Sequence, residues 1–331
     1  MSYAEFPLRL INSFATILKW NPNHYGAGEH GGQFESKDDY DDYEEKFTPK
    51  KARQYTSDPK DLNEVFTRFK NDGCTLDEEP AEMAKRWAKI APNVHPHEFF
   101  RAFLGPKGLN DTNMYHIFLS VDAVNKKISF SSTGDGLTVH GAKVKDYERE
   151  VDIGNHGVQH SRLEIIDAKQ GSGVVKDLFK SCIPLYEKMG LSHITLYANL
   201  DRGAYAWGKY GFKYHDEGNH ANKERHQREI THRLGLFKAH KLGADLSTEA
   251  KKECDAITKV LKSKKDDSVW ALTDMKTPHL DKAYAALVKK DSDKSNFVKL
   301  LMKKTNWPGV MDIQKGSPSR ARLDQYLGSK K

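Results

Sequence analysis

Cysteine is scarce in this chain, which has three in 331 residues: Cys74, Cys182 and Cys254. They lie far apart and show no spacing typical of metal ligands. We therefore expect neither a disulfide framework nor a thiolate metal site, and three free thiols fit a reducing compartment. Cys182 falls on the apolar side of a predicted helix, which places it in the core.

Long hydrophobic runs are also missing. No apolar segment of the sequence is long enough to cross a bilayer, so we expect no membrane partner. The apolar stretch 6–20 carries Arg9 and follows Glu5, unlike the basic start of a secretory signal peptide. Together these absences predict a cytoplasmic protein.

The chain has 15 histidines, but their spacing does not predict a metal site. His24 and His30 lie in a loop rich in Gly, Asn and Pro, with no second cluster of ligands nearby. The histidines spread through 215–232 do not share one helical face. We therefore predict that no metal is bound.

Positive charge is concentrated toward the C-terminal end of the sequence. The whole chain has a formal net charge of +7, whereas residues 241–331 carry 20 Lys and Arg against 12 Asp and Glu, a net charge of +8. The acidic tract 35–45 repels itself and indicates a flexible linker. We predict an N-terminal docking segment with this linker (1–58), a mixed domain (59–235) and a basic helical region (236–331).

Two segments outside the predicted domain indicate macromolecular partners, each with an alternative. An apolar helical stripe in 1–58 either docks on a protein partner or packs on its own domain. The basic helices of 236–331 either touch nucleic acid or present lysine-rich solvated faces. The stripe consists of Leu10, Ile11, Phe14, Ile17 and Leu18.

Periodicity predicts helices and strands through the rest of the chain. Trp307, Pro308 and Gly309 have the composition of a turn. Only one short strand, at 212–215, is evident after Phe212. The predicted helices are 61–73, 79–91, 97–104, 222–241, 248–262, 280–289, 294–303 and 320–327. The predicted strands before the central stretch are 115–121, 127–131, 143–152 and 158–167.

The stretch 162–212 has the most informative pattern. A mostly buried strand ending near Ile165 and Ile166 runs into a short Gly-containing loop, 169–173. A helix, a second strand at 194–198 and a short helix at 202–209 follow. Glycines allow a sharp turn and close approach of a ligand, and the next helix presents unpaired N–H groups at its positive end. This arrangement is either an anion site or a plain tight turn.

The loop and the end of this stretch resemble motifs of the GNAT superfamily of acyl-CoA N-acyltransferases. Residues 170–175, Gln-Gly-Ser-Gly-Val-Val, are similar to the family's Gln/Arg-x-x-Gly-x-Gly/Ala motif, with Val175 departing from the usual Gly or Ala. Residues 206–212, Ala-Trp-Gly-Lys-Tyr-Gly-Phe, are similar to its closing segment. The resemblance covers about 50 residues well and implies an α+β fold with a GNAT-like mixed, partly antiparallel sheet flanked by helices.

The resemblance also implies a site for acetyl-CoA. Amides of the loop would hold the pyrophosphate, and the end of the preceding strand would pair with the pantetheine arm. Glu164 is the candidate base, with His160 near it. The family's tyrosine, which protonates the thiolate, would fall at Trp207, so Tyr210 is the candidate acid. The cofactor-binding candidates are Ile165, Ile166, Asp167, Gln170, Gly171, Ser172, Gly173, Val174 and Val175.

Two functions from different classes remain open. The first is an N-acyltransferase that acetylates an amine of a protein or small molecule. The second is a non-enzymatic phage virion or assembly protein that reuses the fold, because Trp20-x-Pro22-x-His24 and the following Gly-Gly-Gln-Phe resemble a segment of tailed-phage proteins. That resemblance implies a location in the host cytoplasm or the virion.

Overall fold

The computed structural model describes residues 58–105, 117–166, 173–198, 203–215, 221–239, 246–287 and 296–328. The predicted N-terminal stripe and acidic linker lie outside these residues. The described helices are α1 (Pro59–Asn71), α2 (Pro80–Ile90), α3 (Pro96–Leu104), α4 (Val174–Lys188), α5 (Gly203–Tyr210), α6 (Ala221–Ala239), α7 (Thr248–Leu261), α8 (Ser268–Asp274), α9 (Pro278–Leu287), α10 (Phe297–Met302) and α11 (Pro318–Gly328).

The described strands form one mixed sheet in the order β1-β2-β3-β4-β5-β6-β8-β7. The successive pairs β2–β3, β3–β4 and β4–β5 are antiparallel, whereas β1 is parallel to β2 and β5 is parallel to β6. The predicted α+β class with a mixed, partly antiparallel sheet is thus confirmed. The strands are β1 (Thr75–Leu76), β2 (Ile117–Asp122), β3 (Lys127–Val139), β4 (Ala142–Asp152), β5 (Gly157–Ile165), β6 (His193–Ala198), β7 (Lys213–Tyr214) and β8 (Trp307–Asp312).

Local sequence explains the first helices. Each of α1, α2 and α3 begins with a proline, which the first turn tolerates because its N–H groups have no intrahelical partner. The helix predicted from residue 61 begins at Pro59, and Asp58 caps it by accepting the backbone N–H of Lys60 at 2.8 Å. The helix starts earlier because Pro59 fixes a helical φ directly after Asp58.

The antiparallel half of the sheet buries one face under α3 and α4. Phe100 and Phe103 of α3 lie against Phe130 of β3, with ring centroids 5.2 and 5.9 Å apart. Phe103 also contacts Tyr147 of β4 and Tyr186 of α4. Along β4, buried side chains alternate with more exposed ones, so one face of the strand packs on the core. Cys182 is fully buried in this core, as predicted.

The segment predicted as a turn at residues 307–309 is instead the start of β8, and that prediction was wrong. β8 pairs antiparallel with both β6 and β7, so it lies inside the sheet. The short strand predicted at 212–215 is β7, whereas β8 was not predicted. The described helices α6 to α10 lie between them in the sequence, and the predicted region 236–331 supplies β8, an interior strand of the sheet.

The helices between β7 and β8 are attached to the sheet by buried polar contacts. Trp270 of α8 donates its indole N–H to the carbonyl of Phe212 at 2.7 Å. His226 of α6 shares hydrogen bonds with the Tyr214 hydroxyl and the Thr305 hydroxyl, both at 2.8 Å. Because His226 is fully buried between these groups, its ring joins Thr305, two residues before β8, to Tyr214 of β7.

The free energy of unfolding is expected to fall by about 2 kcal/mol at His226 between pH 7.5 and pH 5. Burial, and then the charges of Arg233 and Arg225, lower the pKa of His226 from 6.5 to about 3. Below pH 6.5 the unfolded state binds a proton at His226, whereas the folded state keeps this ring neutral. The contribution of His226 to the free energy of unfolding is therefore complete above pH 6.5 and is lost as the pH falls toward 3. Urea unfolding at both pH values measures it.

A His226→Gln variant should show a correspondingly smaller difference between the two pH values. His232→Gln, on the exposed face of the same helix, is the control and should keep the native pH dependence. An equal pH dependence in all three proteins would show that His226 is not held neutral by the fold.

Candidate functional site

β5 and β6 separate along their length, and this opening is the centre of the candidate site. They pair only from Gly157 and His193 to His160 and Leu196. Beyond the bulged Ser161, residues 162–165 of β5 still pair with β4, but no described strand lies on their other side. The edge of β5 is therefore available to an extended ligand, which can bind backbone groups as an added strand does.

A cavity of about 280 Å³ lies at this opening. That volume is at the small end of the range for sites that hold small molecules. Strands from both sides and one helix enclose it. The lining residues are Asp146 and Arg149 of β4, residues 160–164 of β5, Leu196 and Tyr197 of β6, and Trp207 of α5.

A bulge in β5 shapes the wall of the cavity. Glu148 lies opposite Arg162 and Arg149 lies opposite His160, so Ser161 is an extra residue without a partner on β4. On the core-facing side the bulge brings His160 beside Arg149. On the other face the carboxylates of Asp146 and Glu164 lie opposite each other across the two strands.

Glu164, the candidate base, lines the cavity. Its side chain is 43% exposed, and its Oε1 lies 3.6 Å from the Nζ of Lys145. A carboxylate in this position can accept a proton from an amine held in the cavity, and Asp146 adds negative charge beside it. Both acidic side chains also attract a positively charged group into the opening.

Tyr210, the candidate acid, is packed between other aromatic rings. Burial, and then the hydrogen bond from Tyr326 at 3.3 Å, raise the pKa of the Tyr210 phenol. The ring lies against Phe179 and Trp207. Of the described residues that line the cavity, α5 contributes Trp207 and not Tyr210. The structure therefore does not bring Tyr210, the candidate acid, to the cavity.

The loop implied to hold a pyrophosphate is described only at its end. Asp167, Gln170, Gly171 and Ser172 lie outside the described residues. Gly173 caps α4 with a φ of 99°, a left-handed conformation that glycine adopts without strain. The first turn of α4 follows directly, and its N–H groups are at the positive end of the helix.

The neighbouring cofactor candidates divide between the core and the surface. Val174 is buried, whereas Val175 is half-buried and packs on the edge of the core. Ile165 is the last residue of β5, and Ile166 follows it with 37% of its surface exposed. An exposed isoleucine here provides apolar surface at the mouth of the opening.

Two further residues, Arg149 and His160, form the core-facing wall of the cavity. Of these two, only His160 was considered from the sequence. Burial, and then the charge of Arg149, lower the pKa of His160 well below its usual value, which makes it a weak base. Its Nε2 shares a 2.7 Å hydrogen bond with Tyr186. The sequence did contain a signal for Arg149, because the alternation of side chains along β4 places Arg149 on the same strand face as Tyr147 and Val151.

No protein-family model, curated protein or solved structure shows a significant match to this chain. Among the described residues no helix is long and apolar enough to span a bilayer. Within the same residues, no group of three or more His, Cys, Asp or Glu side chains is arranged to hold a metal ion. Function is therefore inferred from the geometry of the cavity and from the two motifs.

Proposed function

We propose that this protein is an acyl-CoA-dependent N-acyltransferase, with acetyl-CoA as donor and an amine as acceptor. The observation that carries the proposal is the open edge of β5 at residues 161–164, directly before the loop that leads into α4. An extended pantetheine arm carries amide groups that can pair with such an edge. The phosphates at its other end would then reach the N–H groups of α4 near Gly173.

The order of elements supports this proposal. The resemblance implies two helices between the first and second strands, and α2 and α3 lie between β1 and β2 although they were expected before all the strands. It also implies two final strands after the closing segment, and β7 and β8 stand in that position. These features were not used to identify the motifs, so they support the proposal independently.

Acyl transfer requires the amine to lose a proton as its nitrogen attacks the thioester carbon. The C–S bond then breaks, and the thiolate leaves and takes up a proton. Glu164 would accept the amine proton. Trp207 can donate a hydrogen bond to the developing charge, but an indole N–H does not transfer its proton at ordinary pH. The thiolate would therefore be protonated by solvent or by a group outside the described residues.

Calorimetry with acetyl-CoA tests the proposal on three proteins. The native chain should bind, and Gly173→Glu should bind at least ~100-fold more weakly, because a carboxylate at the start of α4 repels phosphate. Gly190→Glu is a matched control at the C-terminal end of the same helix. Gly190 also has a positive φ, 73°, and no atom lies within 4 Å of an added Cβ.

The two variants carry the same charge change and similar backbone strain. If both variants bind acetyl-CoA equally weakly, the cause is a loss of stability of the folded protein. That result would remove the support for a phosphate site at Gly173. No binding by the folded native chain would contradict the enzyme reading and favour an assembly protein that reuses the fold.

A further inference from the structure

The core-facing wall of the cavity contains a buried charge that no described acidic group compensates. Arg149 is only 1% exposed and lies on β4 behind the bulge of β5. It donates hydrogen bonds to backbone carbonyls and lies against Tyr147, and no described carboxylate pairs with it. A buried, unpaired charge is costly, so such a residue is retained where a ligand or partner supplies the opposite charge.

The guanidinium is held in one orientation by the backbone. Its Nη1 donates to the carbonyls of Glu148 at 2.7 Å and Arg162 at 2.5 Å. Its carbon lies 4.4 Å from the centre of the Tyr147 ring. Two carbonyls and an aromatic face therefore fix the plane of the group before any ligand arrives, which reduces the entropy lost on binding.

The edge of the guanidinium that remains without partners is the one that binds carboxylates best. Neither Nε nor Nη2 of Arg149 has a hydrogen-bond partner among the described residues. These two N–H groups point the same way and match the two oxygens of a carboxylate in a bidentate pair. Nδ1 of His160, on the neighbouring strand, is also buried without a partner. Both residues line the cavity.

Two carboxylates also line the cavity from the other face of β4 and β5, beside the cation of Arg162. Asp146 and Glu164 lie across from each other there, and both line the same space. A ligand with an ammonium group and a carboxylate would satisfy both walls at once. The cavity of about 280 Å³ suits a molecule of the size of an amino acid.

We propose that Arg149 binds the carboxylate of the acyl acceptor through its Nε and Nη2 edge, and that the acceptor is a small amino-carboxylate such as a free amino acid. This inference rests on the proposed acyltransferase function. The amine of the acceptor would then lie toward Glu164, the candidate base. Arg149 acts here as a specificity-determining residue that contacts the substrate.

A panel of L-amino acids and their amides tests the proposal, because the amides keep the amine and lack the carboxylate. We expect at least one amino acid to be bound at least ~30-fold more tightly than its amide by the native protein. The comparison needs no variant, so it stands even where a substitution fails to fold. Equal affinity of the two members of every pair would overturn the proposal.

Arg149→Met should remove the preference for the carboxylate, and Arg149→Lys should retain charge but lose the bidentate geometry and most of the preference. Arg101→Met is the control, because Arg101 is exposed on α3 and is not among the residues that line the cavity. It should change the preference less than ~3-fold. A full preference that persists in a folded Arg149→Met protein would overturn the proposal.

Two further measurements separate the remaining outcomes. The first compares succinyl-CoA with acetyl-CoA. If succinyl-CoA is bound at least ~30-fold more tightly and Arg149→Met loses this preference, the carboxylate that Arg149 binds belongs to the acyl group. That result would overturn its assignment to the acceptor. Acetyl-CoA binding is measured separately on the same proteins. Normal acetyl-CoA binding without a carboxylate preference contradicts this inference alone, whereas absent acetyl-CoA binding contradicts the proposed function.

Discussion

Replacing Trp307 by alanine is expected to lower the free energy of unfolding of the whole protein by about 3–5 kcal/mol. Trp307 is fully buried at the start of β8, where its ring lies 5.2 Å from that of Tyr214. Its indole N–H donates to the carbonyl of Ala204 at 3.2 Å, so the substitution also leaves a buried acceptor unpaired. Denaturant unfolding followed by both fluorescence and circular dichroism measures the loss.

Trp207→Ala is the matched control for this prediction. Trp207 is half-buried on the wall of the cavity, so the same change in side chain should cost only about 1–2 kcal/mol. A single unfolding transition that shifts as a unit in Trp307→Ala is expected, because β8 joins β6 to β7. A separate transition confined to the C-terminal helices would contradict the integration of β8 into the sheet.

The second large effect is expected at Gly211, the glycine of the closing motif. Gly211→Ala should lower the free energy of unfolding by about 2–4 kcal/mol, for two reasons. The residue has a φ of 105°, which strains any L-amino acid with a side chain. An added Cβ would also lie 2.6 Å from the carbonyl oxygen of Ser319, in the backbone of α11.

Gly190→Ala separates the two causes. Gly190 has a φ of 73°, but nothing lies within 4 Å of an added Cβ, so only the backbone strain of about 1 kcal/mol is expected. The difference between the two variants in urea unfolding measures the close approach of α11 to the end of α5. Equal losses at Gly190 and Gly211 would show that α11 moves freely away from Gly211.

The elements with regular periodicity were predictable from sequence, and those that depend on distant pairing were not. The helix at Val174–Lys188 and the strand at His193–Ala198 follow directly from local apolar spacing. β8 was missed because Trp-Pro-Gly is typical of turns and because proline is rare inside sheets. Its position depends on β6, which lies more than 100 residues earlier in the chain.

The structure shows why Pro308 is tolerated in β8. Its carbonyl accepts the backbone N–H of His215 at 2.9 Å, just beyond the end of β7. In an antiparallel pair the N–H and carbonyl of one residue point to the same neighbour. An N–H group at residue 308 would therefore point toward His215 and away from β6. Proline at this position removes no hydrogen bond between β8 and β6.

The candidate site was predictable in part for the same reason. Glu164 and Trp207 belong to the continuous stretch that carries the motifs, and both line the cavity. Arg149 comes from β4, and its position beside His160 depends on the bulge at Ser161. A bulge changes which residues face each other, and local periodicity does not record it.

The late position of β8 also governs how the protein is made. Residues 215–306, 92 residues, are synthesised between β7 and β8. At about 5–20 residues per second, β6 and β7 wait about 5–18 s on the ribosome before the strand that joins them exists. During that time β6 presents an apolar edge without its partner, which is a site for aggregation or for chaperones. Slow translation of residues 215–306 is therefore expected to lower the yield of folded protein.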